Sequence, residues 1–398
     1  MTLAHGRSYL AIPGPSAMPD RVLRAMHRAA PNIYAGELHD MTASLFPDLR
    51  RVARTEHSVA IYIGNGHAAW EAALANVAGP GDAVLVLVTG RFGVGWGQMA
   101  EAMGIEVRTL SFGKKAPVDP GRVEEALRAD AEGRIKAVLF VHVDTSTSVR
   151  SDCAAVRAAM DASGHPAILM ADCIASLGCD VFEMDAWGAD VTVTGCQKGL
   201  MTPPGLAFVF FGPRAAARRA EMERVSLYWD WGPRADPEIY YQHFCGTAPT
   251  HHLYGLREAL DMIAEEGIKA VWARHERLAR AIWAAVEAWG EGGDLELNVP
   301  ERAHRSHAVT SLSAGGEDGE RLRAWLEARA GVLLGIGLGM DATDRPAGGS
   351  FFRIGHMGHV NAHMVMGVLG TMQAGMEALG MAYGLGGLDA AAAVISEA

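Results

Sequence analysis

Cysteine is scarce in this chain of 398 residues: there are five, Cys153, Cys173, Cys179, Cys196 and Cys245, an odd number with no CxxC pair. That excludes a disulfide scaffold or a structural zinc site and favours a reducing compartment. A basic excess is also lacking, with 35 Lys and Arg against 46 Asp and Glu and a net charge of −11. Sequence-independent nucleic-acid binding would need a concentrated basic patch. The richest stretch, Arg214 to Arg224, also carries Glu221 and Glu223 and reads as a solvated helix face. The first residues hold no continuous apolar core of signal-peptide length, so a cytoplasmic location is expected. Ile354 to Met376 has no Asp, Glu, Lys or Arg, yet His356, His359, Asn361, His363 and Gln373 interrupt it. A helix buried in a soluble core is expected there, and no membrane span.

What is present suits a large domain plus a smaller one. Hydrophobic residues make up 49% and charged residues 20%, enough to bury a full core, and single cores rarely grow beyond about 250–300 residues. Short β-rich runs alternate with Ala-rich helical stretches: Val59–Ile63, Ala83–Val88, Glu106–Leu110, Ala137–Val143, Ala167–Ala171, Val191–Thr194 and Leu206–Phe211. Most are continuously apolar, which marks strands covered on both faces of a mainly parallel sheet. The expected architecture is a three-layer α/β domain over 20–255, preceded by an N-terminal arm over 1–19. A smaller α+β domain over 256–398 follows. It begins with a helical stretch from Leu253 to Trp289 and continues with strands near Leu295–Val299, Ala308–Ser313 and Phe351–Ile354. A helix over about Gly319 to Arg329 and two terminal helices complete it.

In open α/β sheets ligands bind beyond the carboxyl ends of the strands. The first run is followed by Gly64-Asn65-Gly66-His67 and a helix, which is either an ordinary βα turn or an anion site of backbone N–H groups. Asp144-Thr145-Ser146-Thr147-Ser148 follows Ala137–Val143, hydroxyl-rich as loops often are. Asp172 ends the next run, as a helix cap or as the partner of a buried cation. Gly195-Cys196-Gln197-Lys198-Gly199 then places a lysine between a buried strand and a Pro-Pro turn, a poor place for a surface charge. Lysine forms Schiff bases when desolvated. Pyridoxal 5'-phosphate needs all three groups together: a lysine for its aldehyde, a carboxylate for its pyridine nitrogen and a cradle for its phosphate.

On these residues the chain resembles the class V, fold-type I aminotransferases of the alanine–glyoxylate and serine–glyoxylate group. The matching segments are GNGHAAWEAAL, HVDTSTSV, ADCIASLG, TGCQKGLMTPPGLA, THHLYGLREAL and FRIGHMG, and the likeness extends back to Pro13-Gly14-Pro15. The resemblance implies that Lys198 is the Schiff-base lysine and proton shuttle and that Asp172 pairs with the pyridinium nitrogen. Gly66 and His67 would hold the phosphate through backbone N–H groups and Gln197 through its side chain. Thr145 would bond the phenolic oxygen, and Phe92 would stack on the ring. Thr247 would reach the phosphate of a neighbouring subunit, which implies a homodimer with shared sites. Arg353 would hold the substrate α-carboxylate, with Gly14 also at the substrate site. Two positions depart from the family pattern: Asn65 stands for a serine, and Phe244 for a phosphate-binding tyrosine. The expected reaction moves an amino group from alanine or serine to glyoxylate or a similar 2-oxo acid. The alternative is a transaminase that takes free pyridoxamine as donor.

Other motifs read more plainly. The absence of cysteine after Cys245 argues against a desulfurase, and the GNGH turn lacks the spacing of a dinucleotide or Walker loop. The HxxH pairs His304/His307 and His356/His359 lack converging acids or cysteines, so capping and core hydrogen bonds are expected and no metal site. Tyr228-Trp229-Asp230-Trp231 and Tyr240-Tyr241 read as packing or dimer contacts, or as lining of the substrate pocket. Met357–Met376 reads as core.

Overall fold

The computed structural model describes residues 2–340 and 349–397. Its strands are β1 (Tyr9–Ala11), β2 (Ser58–Gly64), β3 (Ala83–Val88), β4 (Glu106–Ser111), β5 (Ile135–Val141), β6 (Ile168–Asp172), β7 (Val191–Gly195), β8 (Gly205–Phe211), β9 (Glu296–Leu297), β10 (Val309–Ser313), β11 (Val332–Ile336) and β12 (Phe351–Gly355). Seven of them form one sheet in the order β2-β8-β7-β6-β5-β3-β4. Only β8 runs against its neighbours, antiparallel to both β2 and β7. These are the seven strands expected from the apolar runs.

The runs are continuous because both faces are covered. In β3, Leu85 and Leu87 face one buried cluster while Val84 and Val86 face another on the opposite side. Burying both sides of each strand is what a three-layer α/β domain requires. The edge strand β4 is different: it is only partly buried, and its Arg108 pairs with Glu106 of the same strand and with Asp130. Charges on an edge discourage pairing with another chain.

The second sheet runs β1-β11-β12-β10-β9. Two of its strands, β1 and β11, are absent from the sequence reading. They pair in parallel, Tyr9 beside Val332, so the N-terminal arm is an edge strand of the C-terminal sheet. The helical stretch expected from Leu253 to Trp289 is two helices, Thr250–Glu266 and Ile268–Gly290, separated by Gly267 at φ +85. That conformation favours glycine and ends the first helix. Leu253, Leu256 and Leu260 then pack with Leu45 and Leu49 in the large-sheet core. Beyond the break, Leu278, Ile282 and Trp289 belong to the small-sheet core. Helix Ala362–Leu379 adds Leu369, Met372 and Met376 to that core. Among the described residues no helix is long and apolar enough to cross a membrane. Helix Pro213–Glu221 carries the basic stretch, and its arginines are paired, Arg214 with Asp190 and Arg218 with Asp82.

Candidate active site

The carboxyl ends of β2, β3, β5, β6 and β7 share one edge of the large sheet, and a predicted site group follows each of them. After β2, Gly66 opens helix Gly66–Val77, and Asn65 caps it, Oδ1 accepting the His67 N–H at 3.1 Å. A Cβ on Gly66 would lie 2.4 Å from Ile174 Cδ1, so the tip of that side chain would have to turn aside. After β3, Phe92 sits at the start of helix Arg91–Ala102 with its ring edge toward Trp70, centroids 6.2 Å apart.

Asp172 ends β6 and is buried. Its Oδ2 accepts the Trp70 indole N–H at 2.9 Å and its Oδ1 the Ile174 N–H at 2.7 Å. Burial pushes its pKa up to about 7; the two hydrogen bonds work against that rise, and the like charge of Asp144 adds to it. Lys198, just beyond β7, is also buried, and its ammonium donates to the Pro13 carbonyl. Burial first, then the charge of Arg353, brings its pKa down to about 8, while Asp172 opposes the fall. The N-terminal segment lies directly on this lysine. A Cβ on Gly14 would sit 2.7 Å from Nζ, the Ser16 N–H donates to Gln197 O at 2.9 Å, and Ser16 Oγ donates to Lys198 O at 2.8 Å. Gln197 is partly buried, and its Oε1 has no hydrogen-bond partner among the described residues.

Arg353 comes from the other sheet. Its Nε donates to Ile336 O at 2.7 Å and its Nη1 to Thr145 O at 2.9 Å, across the cleft between the sheets. Burial lowers its pKa to about 10, partly offset by Asp144. No carboxylate among the described residues forms an ion pair with it. Thr145 is buried beside it. The arm reaches this group because Gly335, paired with Arg353 in the sheet, has no side chain; a Cβ there would meet Pro13 Cδ at 2.5 Å.

The structure thus brings together Gly14, Gly66, His67, Phe92, Thr145, Asp172, Gln197, Lys198 and Arg353. Thr247 stands apart, exposed and hydrogen-bonded to none of these among the described residues. Phe244 is buried in its own chain's core, beside Tyr240 and His243. Of the other aromatics, Trp231 stacks on Phe211 at 4.5 Å and is packing. His356 bridges Thr310 Oγ1 and the His307 carbonyl as a core hydrogen-bonding residue. Among the described residues no group of three or more His, Cys, Asp or Glu could hold a metal. Trp70, Asp144 and the Pro13 carbonyl are the site groups that the sequence reading misses. Trp70 was within reach of a spacing argument, since it lies one helical turn beyond His67 on the same face.

A model of the aminotransferase class-V family matches residues 8–340. The chain belongs to that family. It is 36% identical over 373 residues to the serine–glyoxylate aminotransferase of Methylorubrum extorquens, covering 92% of this chain and 90% of that one. It is 34% identical to the L-aspartate–glyoxylate aminotransferase of Paracoccus denitrificans, covering 96% and 94%. Among solved structures, pyridoxamine–pyruvate aminotransferase from Mesorhizobium loti superposes with a TM-score of 0.88 at 27% identity, covering 98% of each chain. This class-V enzyme is a transaminase that uses pyridoxal phosphate, on fold-type-I architecture.

The residues fit that cofactor. A buried lysine without an ion-pair partner among the described residues lies within electrostatic reach of a buried carboxylate, and a helix opens beside them at Gly66. The carboxylate has a consequence before any cofactor binds. Its folded-state pKa lies above the ordinary 3.8, so the stability it contributes is complete below that value and is lost as pH rises through about 7. The slope is at most about 1.4 kcal/mol per pH unit. Lys198, whose pKa is lowered, titrates above this window. Measured against Asp172→Asn, the cofactor-free wild type is therefore expected to lose melting temperature progressively between pH 4 and 7, on top of the opposite contribution of buried histidines such as His142 and His275, whose pKa values burial lowers. Parallel melting curves for the two proteins would show Asp172 to be charged throughout, contrary to its burial.

Proposed function

We propose that this class-V aminotransferase transfers an amino group from a small amino acid, serine or alanine, to glyoxylate in two half-reactions at one site. The observation that carries the proposal is Arg353: a buried guanidinium held by two backbone carbonyls, with no carboxylate partner among the described residues, beside Lys198. A substrate α-carboxylate supplies the anion that burial of such a charge calls for.

When bound, pyridoxal phosphate supplies an electron sink for the substrate Cα. Lys198 tethers it and moves the Cα proton, and a pKa near 8 leaves an appreciable fraction of its amine neutral for that task. Asp172, fixed in place by Trp70, would hold the ring nitrogen protonated. Gly66, His67 and Gln197 would hold the phosphate, Thr145 would bond the phenolic oxygen, and Phe92 would stack on the ring. Gly14 closes the site over Lys198 and keeps water from it. The two domains, divided near the helix that spans residue 255, meet where Arg353 reaches Thr145. Glyoxylate as acceptor follows the two relatives named for it, and the small donor follows the serine enzyme. Purified protein should be yellow, and serine or alanine should bleach it until glyoxylate restores the colour. No bleaching with serine or alanine, or bleaching with aspartate alone, would refute the donor assignment.

A second reading has one observation in its favour. The His67 N–H is already taken by Asn65 Oδ1, which weakens the cradle for a phosphate and suits an unphosphorylated donor such as the pyridoxamine named for the Mesorhizobium enzyme. A colourless protein that consumes free pyridoxamine would establish it.

The enzyme is further proposed to act in the cytoplasm as a homodimer, with Thr247 of one protomer meeting the phosphate held by the other. Thr247 is exposed in the single chain and so free to do this. Sedimentation should give twice the 42.3 kDa chain mass, and Thr247→Ala should weaken cofactor retention without dissociating the dimer. A fully active monomer would contradict the shared site.

A further inference from the structure

Asp144 is a second buried carboxylate at this sheet edge, fully shielded from solvent, and no role given so far uses it. All of its hydrogen bonds go to two turns. Oδ2 accepts the Phe92 N–H at 2.9 Å and the Gly93 N–H at 3.3 Å. Oδ1 accepts the Ser146 N–H at 2.9 Å and the Ser146 hydroxyl, whose Oγ in turn accepts the Arg91 N–H at 3.0 Å. The first N–H groups of a helix have no partner within it, and Gly90, at the N-cap of helix Arg91–Ala102, has no side chain to offer. The cap comes instead from the end of β5. Gly90 is glycine for that reason and not for its backbone, since its φ of 176 is ordinary extended geometry. A Cβ there would lie 2.4 Å from Asp144 Oδ1.

On its other side Asp144 shapes the turn that presents Thr145. The bond from Ser146 N–H back to Oδ1 closes a local loop of the kind aspartate forms with the residue two further on. Between them stands the Thr145 carbonyl, which accepts Arg353 Nη1. One side chain therefore touches both the helix start that carries Phe92 and the turn that orients Arg353.

We propose that Asp144 is a positioning residue that locks the Phe92 wall and the Arg353 fork into one frame, so that ring face and substrate carboxylate keep a fixed relation. The proposal rests on the roles given above to Phe92 and Arg353. A carboxylate is needed because both of its oxygens only accept. The amide of Asn would turn an NH2 toward one of the two turns and leave its N–H groups unpaired.

The test uses the full chain, with Asp144→Asn and Gly90→Ala, the second displacing the carboxylate without removing its charge. Amide exchange in the purified proteins should quicken by about tenfold or more at Phe92, Gly93 and Ser146, the equivalent of one lost hydrogen bond to a charged group. In steady state, KM should rise by about tenfold for both the amino donor and the 2-oxo acid, with kcat changed much less. The visible band of the bound cofactor should remain, because Lys198 and Asp172 are untouched. Unchanged exchange in both variants would overturn the proposal. So would faster exchange with unaltered KM for both substrates, which would reduce Asp144 to a helix cap. Wild-type protein inert to every amino donor would fail the aminotransferase reading instead, and the exchange measurement would still decide whether Asp144 joins the two turns.

Discussion

Lys198→Ala is expected to lower transamination by about 10⁴-fold, the upper range for removal of a positioned acid–base group, while the protein stays folded. On the proposed roles, the substitution removes the nucleophile that would tether the cofactor and carry the Cα proton, and it removes the donor to the Pro13 carbonyl. Burial is what fits this lysine to its task. With its pKa brought to about 8, a useful share of the amine is neutral at physiological pH, and only the neutral amine attacks a carbonyl. The variant should also lose the visible band that borohydride discharges in the wild type. Circular dichroism and a melting curve separate loss of chemistry from loss of fold. Comparable turnover in Lys198→Ala would end the assignment of Lys198.

Arg353→Lys is expected to cost about 100-fold in kcat/KM for amino acids and 2-oxo acids alike, roughly two charge-assisted hydrogen bonds, with cofactor binding preserved. The guanidinium is held flat by Ile336 O on Nε and Thr145 O on Nη1. It is thus fixed in plane before a substrate arrives. An ammonium keeps the charge but cannot satisfy two carbonyls and a carboxylate in one plane. The two backbone acceptors would also be left short, so part of the loss is orientation and not charge. Kinetics unchanged for every carboxylate substrate would remove Arg353 from the site.

The large sheet was legible in the sequence because burial on both faces writes a continuous apolar run, as in Ala83–Val88 or Leu206–Phe211. Lys198 and Asp172 stood out for the converse reason: a charged residue at the end of such a run has no cheap place in the fold unless it is used. The small sheet was harder to read. Tyr9–Ala11 is three residues long and leads into Pro13-Gly14-Pro15, and Val332–Ile336 contains Gly335 and runs into further glycines. Tyr9–Ala11 is a strand only because it pairs with Val332–Ile336, which in turn lies between it and Phe351–Gly355, and nothing within a few residues of either says so. The same holds for Asp144, which reads locally as a loop former and becomes a cap only when β5 stands beside β3. Gly267 inside an otherwise helical pattern is compatible with either a tolerated glycine or a break, and only its positive φ decides.

The parallel pairing of Tyr9–Ala11 with Val332–Ile336 also sets an order of events during synthesis. The ribosome releases the N-terminal strand first and its partner among the last. The large sheet needs neither strand, although its core is complete only with helix Thr250–Glu266. Until Val332–Ile336 has emerged, the segment whose Pro13 carbonyl meets Lys198 lacks its strand partner and is left with contacts such as those of Ser16 to Gln197 and Lys198. Contacts between distant parts of a chain form late, after the loop between them has been closed. A chain stopped short of β11 would therefore carry all the residues of the large-sheet edge and still lack Arg353 and the strand that pairs with the N-terminal arm.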